Sequence, residues 1–195
     1  MSSPGTCAMC CKPNAKACGN CHATWYFSRE CQSSDWPTHK LLCKQFRDQG
    51  PRPSADHYRA IVLPVEDTGP KLVWHAYNDG AFSLHDDPDL KGPMTGVHSI
   101  TRNRRGDVFK DNVVIFILHD DCFQSKGLAI NKSLIKAVAG TRRQLYYFWQ
   151  GPVCLSRRAS YADDEKPQDM SLADYRHALD EMCLLASAPF EGGYV

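Results

Sequence analysis

Cys7-Ala8-Met9-Cys10, Cys18-Gly19-Asn20-Cys21, Cys31 and His39-Lys40-Leu41-Leu42-Cys43 all fall before residue 44, and their reading decides what the amino-terminal part of the chain is. Seven of the ten cysteines (Cys7, Cys10, Cys11, Cys18, Cys21, Cys31 and Cys43) lie there, in a segment with almost no aliphatic residues from which to build a core. Such a segment needs a cross-link: disulfides in an oxidising compartment, or a metal inside the cell. Met1-Ser2-Ser3-Pro4-Gly5 has neither the basic start nor the apolar stretch of a secretory signal, so reduced thiols binding zinc are the expectation.

A two-residue spacer lets both sulfurs of a C-x-x-C turn face one tetrahedral ion, and two such turns imply two ions. His39 and Cys43, four apart, share one helix face and can present a nitrogen and a sulfur to the same metal. The predicted helix has Asp35 as N-cap, Pro37 in its first turn, and Leu41, Leu42 and Phe46 on an apolar side.

Taken together, C-x2-C-x7-C-x2-C from Cys7 to Cys21, Trp25-Tyr26-x-Ser28-Arg29-Glu30-Cys31-Gln32 and Asp35-Trp36-x-x-His39-Lys40-x-x-Cys43 resemble the MYND zinc finger over residues 7–43, about a fifth of the chain. The resemblance implies two interleaved zinc ions. Cys18, Cys21, His39 and Cys43 then form one complete site, and Cys7, Cys10 and Cys31 form three quarters of the other. The family has a cysteine directly after the tyrosine, where this chain has Phe27. Water, a shifted Cys11 or His22, or no ion at all are the alternatives for that shell. Similarity to peptide-binding members implies a shallow groove lined by Gln32 and Trp36. The backbone near Gly19 would there pair with an extended, proline-containing peptide, although some of those members carry a polar residue at the Gly19 position. The plainer role for Trp36 is support of the finger's own small core.

The remaining residues are enough for one further domain. A formal net charge of +1 gives no global attraction to nucleic acid or to an anionic membrane. The longest apolar run, Val113 to Leu118, is too short to span a bilayer. The expected organisation is a finger at 1–47, a Gly/Pro-rich linker at 48–56 and an α+β domain at 57–195, cytoplasmic or nuclear. Tyr58–Val65 and Lys71–Tyr77 read as a hairpin, Val97–Thr101 as a short strand, and Asn112–His119 as a central strand covered on both faces. Leu145–Trp149 and Val153–Ser156 are further strand candidates. Helices are predicted from Asn131 to the Gly140 stop and, with a capping-box start at Ser171 and Asp174, to Ala186. Around Leu72-Val73-Trp74, Gly127 to Ala139 and Trp149-Gln150-Gly151-Pro152-Val153 this second part resembles, less closely than the finger does its family, the uncharacterised carboxyl-terminal segment of fungal MYND-finger proteins, which brings no activity with it.

Arg102-Asn103-Arg104-Arg105, Arg142-Arg143 and Arg157-Arg158 are basic clusters, but nearby acids offset them, and solvated loops are the simpler reading. His85-Asp86-Asp87 and His119-Asp120-Asp121-Cys122 read as turn chemistry, and Cys122, Cys154 and Cys183 as small buried apolar residues. No phosphate loop or nucleophile elbow is present. The sequence therefore points to a non-enzymatic zinc-finger adaptor for protein or peptide partners. The alternative is an enzyme with its site among His75, His98, His119 and neighbouring acids. A third reading, in which the finger only clamps the second domain, requires the Gln32–Trp36 groove to be buried.

Overall fold

Two short strands, β1 (Lys16–Ala17) and β2 (Trp25–Tyr26), pair antiparallel and lead into α1 (Arg29–Asp48) in the computed structural model. The structure describes residues 5–78, 80–84, 86–90, 94, 96–103, 106–109, 113–119, 128–141, 144–145, 149–160 and 167–185. Helix α1 begins earlier than Asp35 and Pro37 suggest. Ser28 is its N-cap, the Ser28 Oγ accepting from the Cys31 N–H at 3.3 Å, with Glu30 in the positive first turn. Asp35 is instead buried mid-helix, and Pro37 stands inside the helix. The local cue misleads because Asp35 serves a distant partner, described below.

Among the described residues, the second part is built on a seven-stranded sheet whose pairings are all antiparallel. β3 (His57–Leu63) and β4 (Lys71–Asn78) form the expected hairpin, with Ile61 opposite Leu72 and Gly69 at φ +81° in the turn. β5 (Ala81–Phe82), β6 (Gly96–Ile100), β7 (Val114–His119), β8 (Val153–Arg158) and β9 (Pro167–Gln168) complete it. The order is β5-β4-β3-β8-β7-β6, with β9 beside β8.

Alternation along the strands separates two apolar faces. Ile61, Leu63, Ile115, Ile117, Val153 and Leu155 point into the main core. Ala60, Val62 and Cys154 point the other way, into a smaller cluster completed by Leu84, Leu90, Met94 and Leu118. Leu84, Leu90 and Met94, which follow β4, thus cover the second face, and this two-sided cover explains the unbroken apolar runs. The strand predicted at Leu145–Trp149 is not seen at 144, 145 or 149, and residues 146–148 lie outside the described set.

α2 (Lys132–Val138) is capped by Asn131, whose side chain accepts from the Leu134 N–H at 2.7 Å and donates to the carbonyls of Leu63 and Gly151, both at 2.9 Å. Gly140, at φ +75°, lies just past its end as predicted. α3 (Leu172–Leu185) opens with a reciprocal box: Ser171 Oγ accepts from the Asp174 N–H at 3.2 Å, and the Asp174 carboxylate accepts from the Ser171 N–H at 2.8 Å.

The finger and the sheet share apolar substance. Tyr26, Leu42 and Cys43 belong to the same buried cluster as Ile61, Leu155, Leu134 of α2 and Leu179 and Met182 of α3. Polar ties flank it: Thr38 Oγ1 donates to the Ala137 carbonyl at 2.9 Å, and Gln45 bridges the Pro70 carbonyl and the Leu72 N–H. The segment expected as a linker separates finger from sheet in sequence, whereas the buried cluster crosses between them.

Leu155 is fully buried at the middle of this cluster. Leu155→Ala is expected to lower stability by about 3 kcal/mol, read from the midpoint of denaturant unfolding followed by circular dichroism.

Candidate metal centre and peptide groove

Cys18 and Cys21 sit on the knuckle between β1 and β2, while His39 and Cys43 lie one turn apart on α1. Their ligand atoms all lie within 4.8 Å of one another, and all four residues are buried. Tetrahedral zinc, with bonds of about 2.3 Å to sulfur and 2.0–2.1 Å to nitrogen, requires edges of about 3.8 Å between sulfurs and 3.5 Å from sulfur to nitrogen. Cys21 Sγ and His39 Nε2 are 3.3 Å apart, so the donor set and its span fit the ion. Asn20 Nδ2 donates to Cys43 Sγ at 3.1 Å and is itself held by Arg47 Nη1 at 2.9 Å.

The tautomer of His39 follows from its neighbours. Tyr26 Oη donates its single proton to Asp35 Oδ2 at 2.7 Å, so at 2.9 Å from His39 Nδ1 it can only accept. Nδ1 therefore carries the ring proton, and Nε2 is left bare toward the thiols, as a zinc ligand requires. Burial lowers the His39 pKa against the opposing pull of Asp35, and so favours the neutral, ligating form. Burial and the neighbouring Cys18 and Cys43 sulfurs push the Cys21 thiol up to about 12. The Cys18 thiol is also buried, but the backbone N–H groups of Cys21 and Asn20 outweigh this and bring it down. A cation is the natural relief for such a crowd of sulfurs.

Cys7, Cys10 and Cys31 form a second cluster within the same 4.8 Å limit, with Cys10 Sγ and Cys31 Sγ 3.9 Å apart, again a tetrahedral edge. The Cys7 thiol is lowered because N–H groups of Cys10, Phe27 and Met9 overcome its burial. Phe27 is 49% exposed with Lys12 Nζ over its ring at 4.8 Å. Cys11, at φ +57°, turns its sulfur to Asn103 Nδ2 at 3.3 Å, and neither Cys11 nor His22 joins the cluster.

Gln32 and Trp36, one helical turn apart on α1, line an open hollow of about 350 Å³ with Arg29 and Ser33. Trp36 is 46% exposed and meets His39 edge-on, with ring centroids 5.5 Å apart, so it both covers a ligand and faces solvent. Gly19 is exposed, with open space where a side chain would stand. Lys16 and Ala17 pair with Tyr26 and Trp25 of β2, the Cys18 N–H donates to the Thr24 carbonyl at 2.9 Å, and Gly19 lies in the turn that follows.

The histidines of the second part do not converge on one another. His75 Nε2 meets Asp87 Oδ2 at 2.8 Å, with Cys154 Sγ 3.9 Å from its Nδ1. That Cys–His–Asp grouping was not visible in the sequence, since its members come from β4, β8 and the segment after β5. Burial raises the Cys154 thiol, which holds it in the protonated, non-nucleophilic form. His98 meets Glu181 at 3.4 Å, and His119 packs edge-on to Trp149. His85 and the 120–122 segment lie outside the described residues. Arg157 is paired with Asp174 at 3.0 Å, and Arg158 lies over Tyr77 and Phe116. No described helix is long and apolar enough to cross a membrane.

Two measurements test the metal centre. Phe27→Cys is expected to raise zinc per chain from about one toward two by atomic absorption, because it supplies the missing thiolate. The unfolded chain binds a proton at His39 near the ordinary pKa of 6.5, and the folded chain only at a lower pH. Stability is thus full above about pH 6.5 and falls as the pH drops through the lowered folded value, so melting temperature should decline on that acid limb.

Residues 7–43 match the family model described as "zf-MYND: MYND finger". The chain is also similar to the Zinc finger MYND domain-containing protein 10 homolog of Drosophila melanogaster, at 50% identity over 38 residues. That alignment covers 20% of this chain and 8% of the relative. No solved structure matches. With the ligand clusters at tetrahedral spacing and the family match over the same span, residues 7–43 are a MYND zinc finger, joined in this chain to an α+β sheet region.

Proposed function

We propose that this protein is an intracellular adaptor whose MYND finger recruits partner proteins by holding an extended, proline-containing peptide against Trp36. The observation that carries the reading is the exposure of Trp36 beside Gln32 over an open hollow. MYND fingers are in general protein-interaction modules, and an indole face packs well on proline rings while losing little side-chain freedom. Gln32 supplies amide groups for the peptide backbone, and the exposed backbone near Gly19 is the place for an added strand. The clamp alternative, which needs this groove covered, is not favoured by a tryptophan left nearly half exposed.

Trp36→Ala is expected to weaken binding of proline-containing peptides by tenfold or more, about 1.4 kcal/mol, while zinc content and the circular dichroism spectrum stay unchanged. The measurement is fluorescence anisotropy over a panel of labelled peptides, with proline-free controls. Equal binding by parent and variant would remove the groove from the account.

A further inference from the structure

The buried polar contacts around His39 do not stop within the finger. Asp35, whose Oδ2 takes the Tyr26 proton, receives Arg176 Nη1 on its other oxygen at 2.8 Å. Arg176 in turn places Nε 3.2 Å from Asp180 Oδ2, one turn further along α3. The side chains of Asp35, Arg176 and Asp180 are only 6%, 5% and 9% exposed. An unbroken line therefore runs from the zinc-facing imidazole through Tyr26 and Asp35 to a cation on the carboxyl-terminal helix.

We infer that Arg176 is a positioning residue for the Cys18/Cys21/His39/Cys43 zinc site, so that zinc binding by the finger and docking of α3 are one linked equilibrium. The reasoning turns on the Tyr26 hydroxyl. While Arg176 holds Asp35 in place, that hydroxyl donates to Asp35 and must accept from His39 Nδ1, which keeps Nε2 bare. Without Arg176, the Asp35 carboxylate is a buried charge lacking this cation, and burial then favours its protonated form, which donates to Tyr26 Oη instead of accepting from it. The tyrosine proton is then released to face Nδ1. That arrangement stabilises the tautomer with its proton on Nε2, which cannot ligate. Outer-shell partners of metal-bound histidines carry about ten- to a hundredfold in metal affinity, and linkage is reciprocal, so zinc must also favour the docked α3.

The bland alternative is that Arg176 only joins two helices. It predicts lower stability for Arg176 variants without a specific effect on zinc. The test uses the full chain, with zinc affinity measured by competition against a chromophoric chelator for Tyr26→Phe, Arg176→Met and the double variant. Each single change is expected to weaken the tighter ion by about ten- to a hundredfold, and the double to be no weaker than the worse single, because both break one line. Hydrogen exchange of amides 172–185 supplies an independent readout: zinc should slow it in the parent and not in Arg176→Met. Unchanged affinity in Arg176→Met, losses that multiply in the double variant, or α3 exchange in the parent that ignores zinc would each overturn the inference. Should Arg176→Met fail to fold, Arg176→Lys is measured instead. Lysine keeps the charge but lacks the fork that spans both carboxylates, and the same weakening is expected, with parental affinity overturning the inference.

Discussion

A phenol has one proton to give, and in this molecule Tyr26 gives it to Asp35. Much of the metal centre follows from that. The imidazole of His39 has to donate to the phenol, which leaves its other nitrogen for the ion. Tyr26 can hold this post only because it is buried between the hairpin and α1, where burial and the adjacent carboxylate keep the hydroxyl protonated. The arrangement couples a local matter, the protonation of one ring, to the packing of the surrounding helices.

The apolar architecture is organised around the same place. α1 lies on the main core with the inner face of the sheet, and Thr38, Gln45 and Asp35 tie it to α2, to β4 and to α3 respectively. The finger alone offers few apolar residues, so a ligand-bound metal and a borrowed core act together where either would be insufficient. The far side of the sheet is sealed separately by Leu84, Leu90 and Met94. Meanwhile the Gln32–Trp36 surface stays open.

What the sequence revealed was local chemistry. The two-residue knuckles and the His39–Cys43 interval specify a ligand set without reference to the rest of the chain, as do the Asn131 cap and the Ser171–Asp174 box. The start of α1 escapes such local cues for the complementary reason. Asp35 followed by Pro37 looks like a beginning, but Ser28 caps the helix and the Asp35 carboxylate faces a guanidinium 141 residues away. One clue was present: Asp35, His39 and Cys43 recur at intervals of four and so share a face. The grouping of His75, Asp87 and Cys154, the β9 strand and the division of the sheet into two apolar sides all depend on strand register, which spacing along a single chain does not disclose.

Helix α1 carries Cys31 for one thiol cluster and His39 and Cys43 for the other. Eight residues of α-helix separate Cys31 from His39, an advance of about 12 Å and a net turn of about 80°. The two metal seats are thus mounted like cams on a single shaft, at fixed spacing and fixed phase. Any slip or rotation that eased one seat would throw the other out of true, and a rod loaded at both stations has little freedom left to wander.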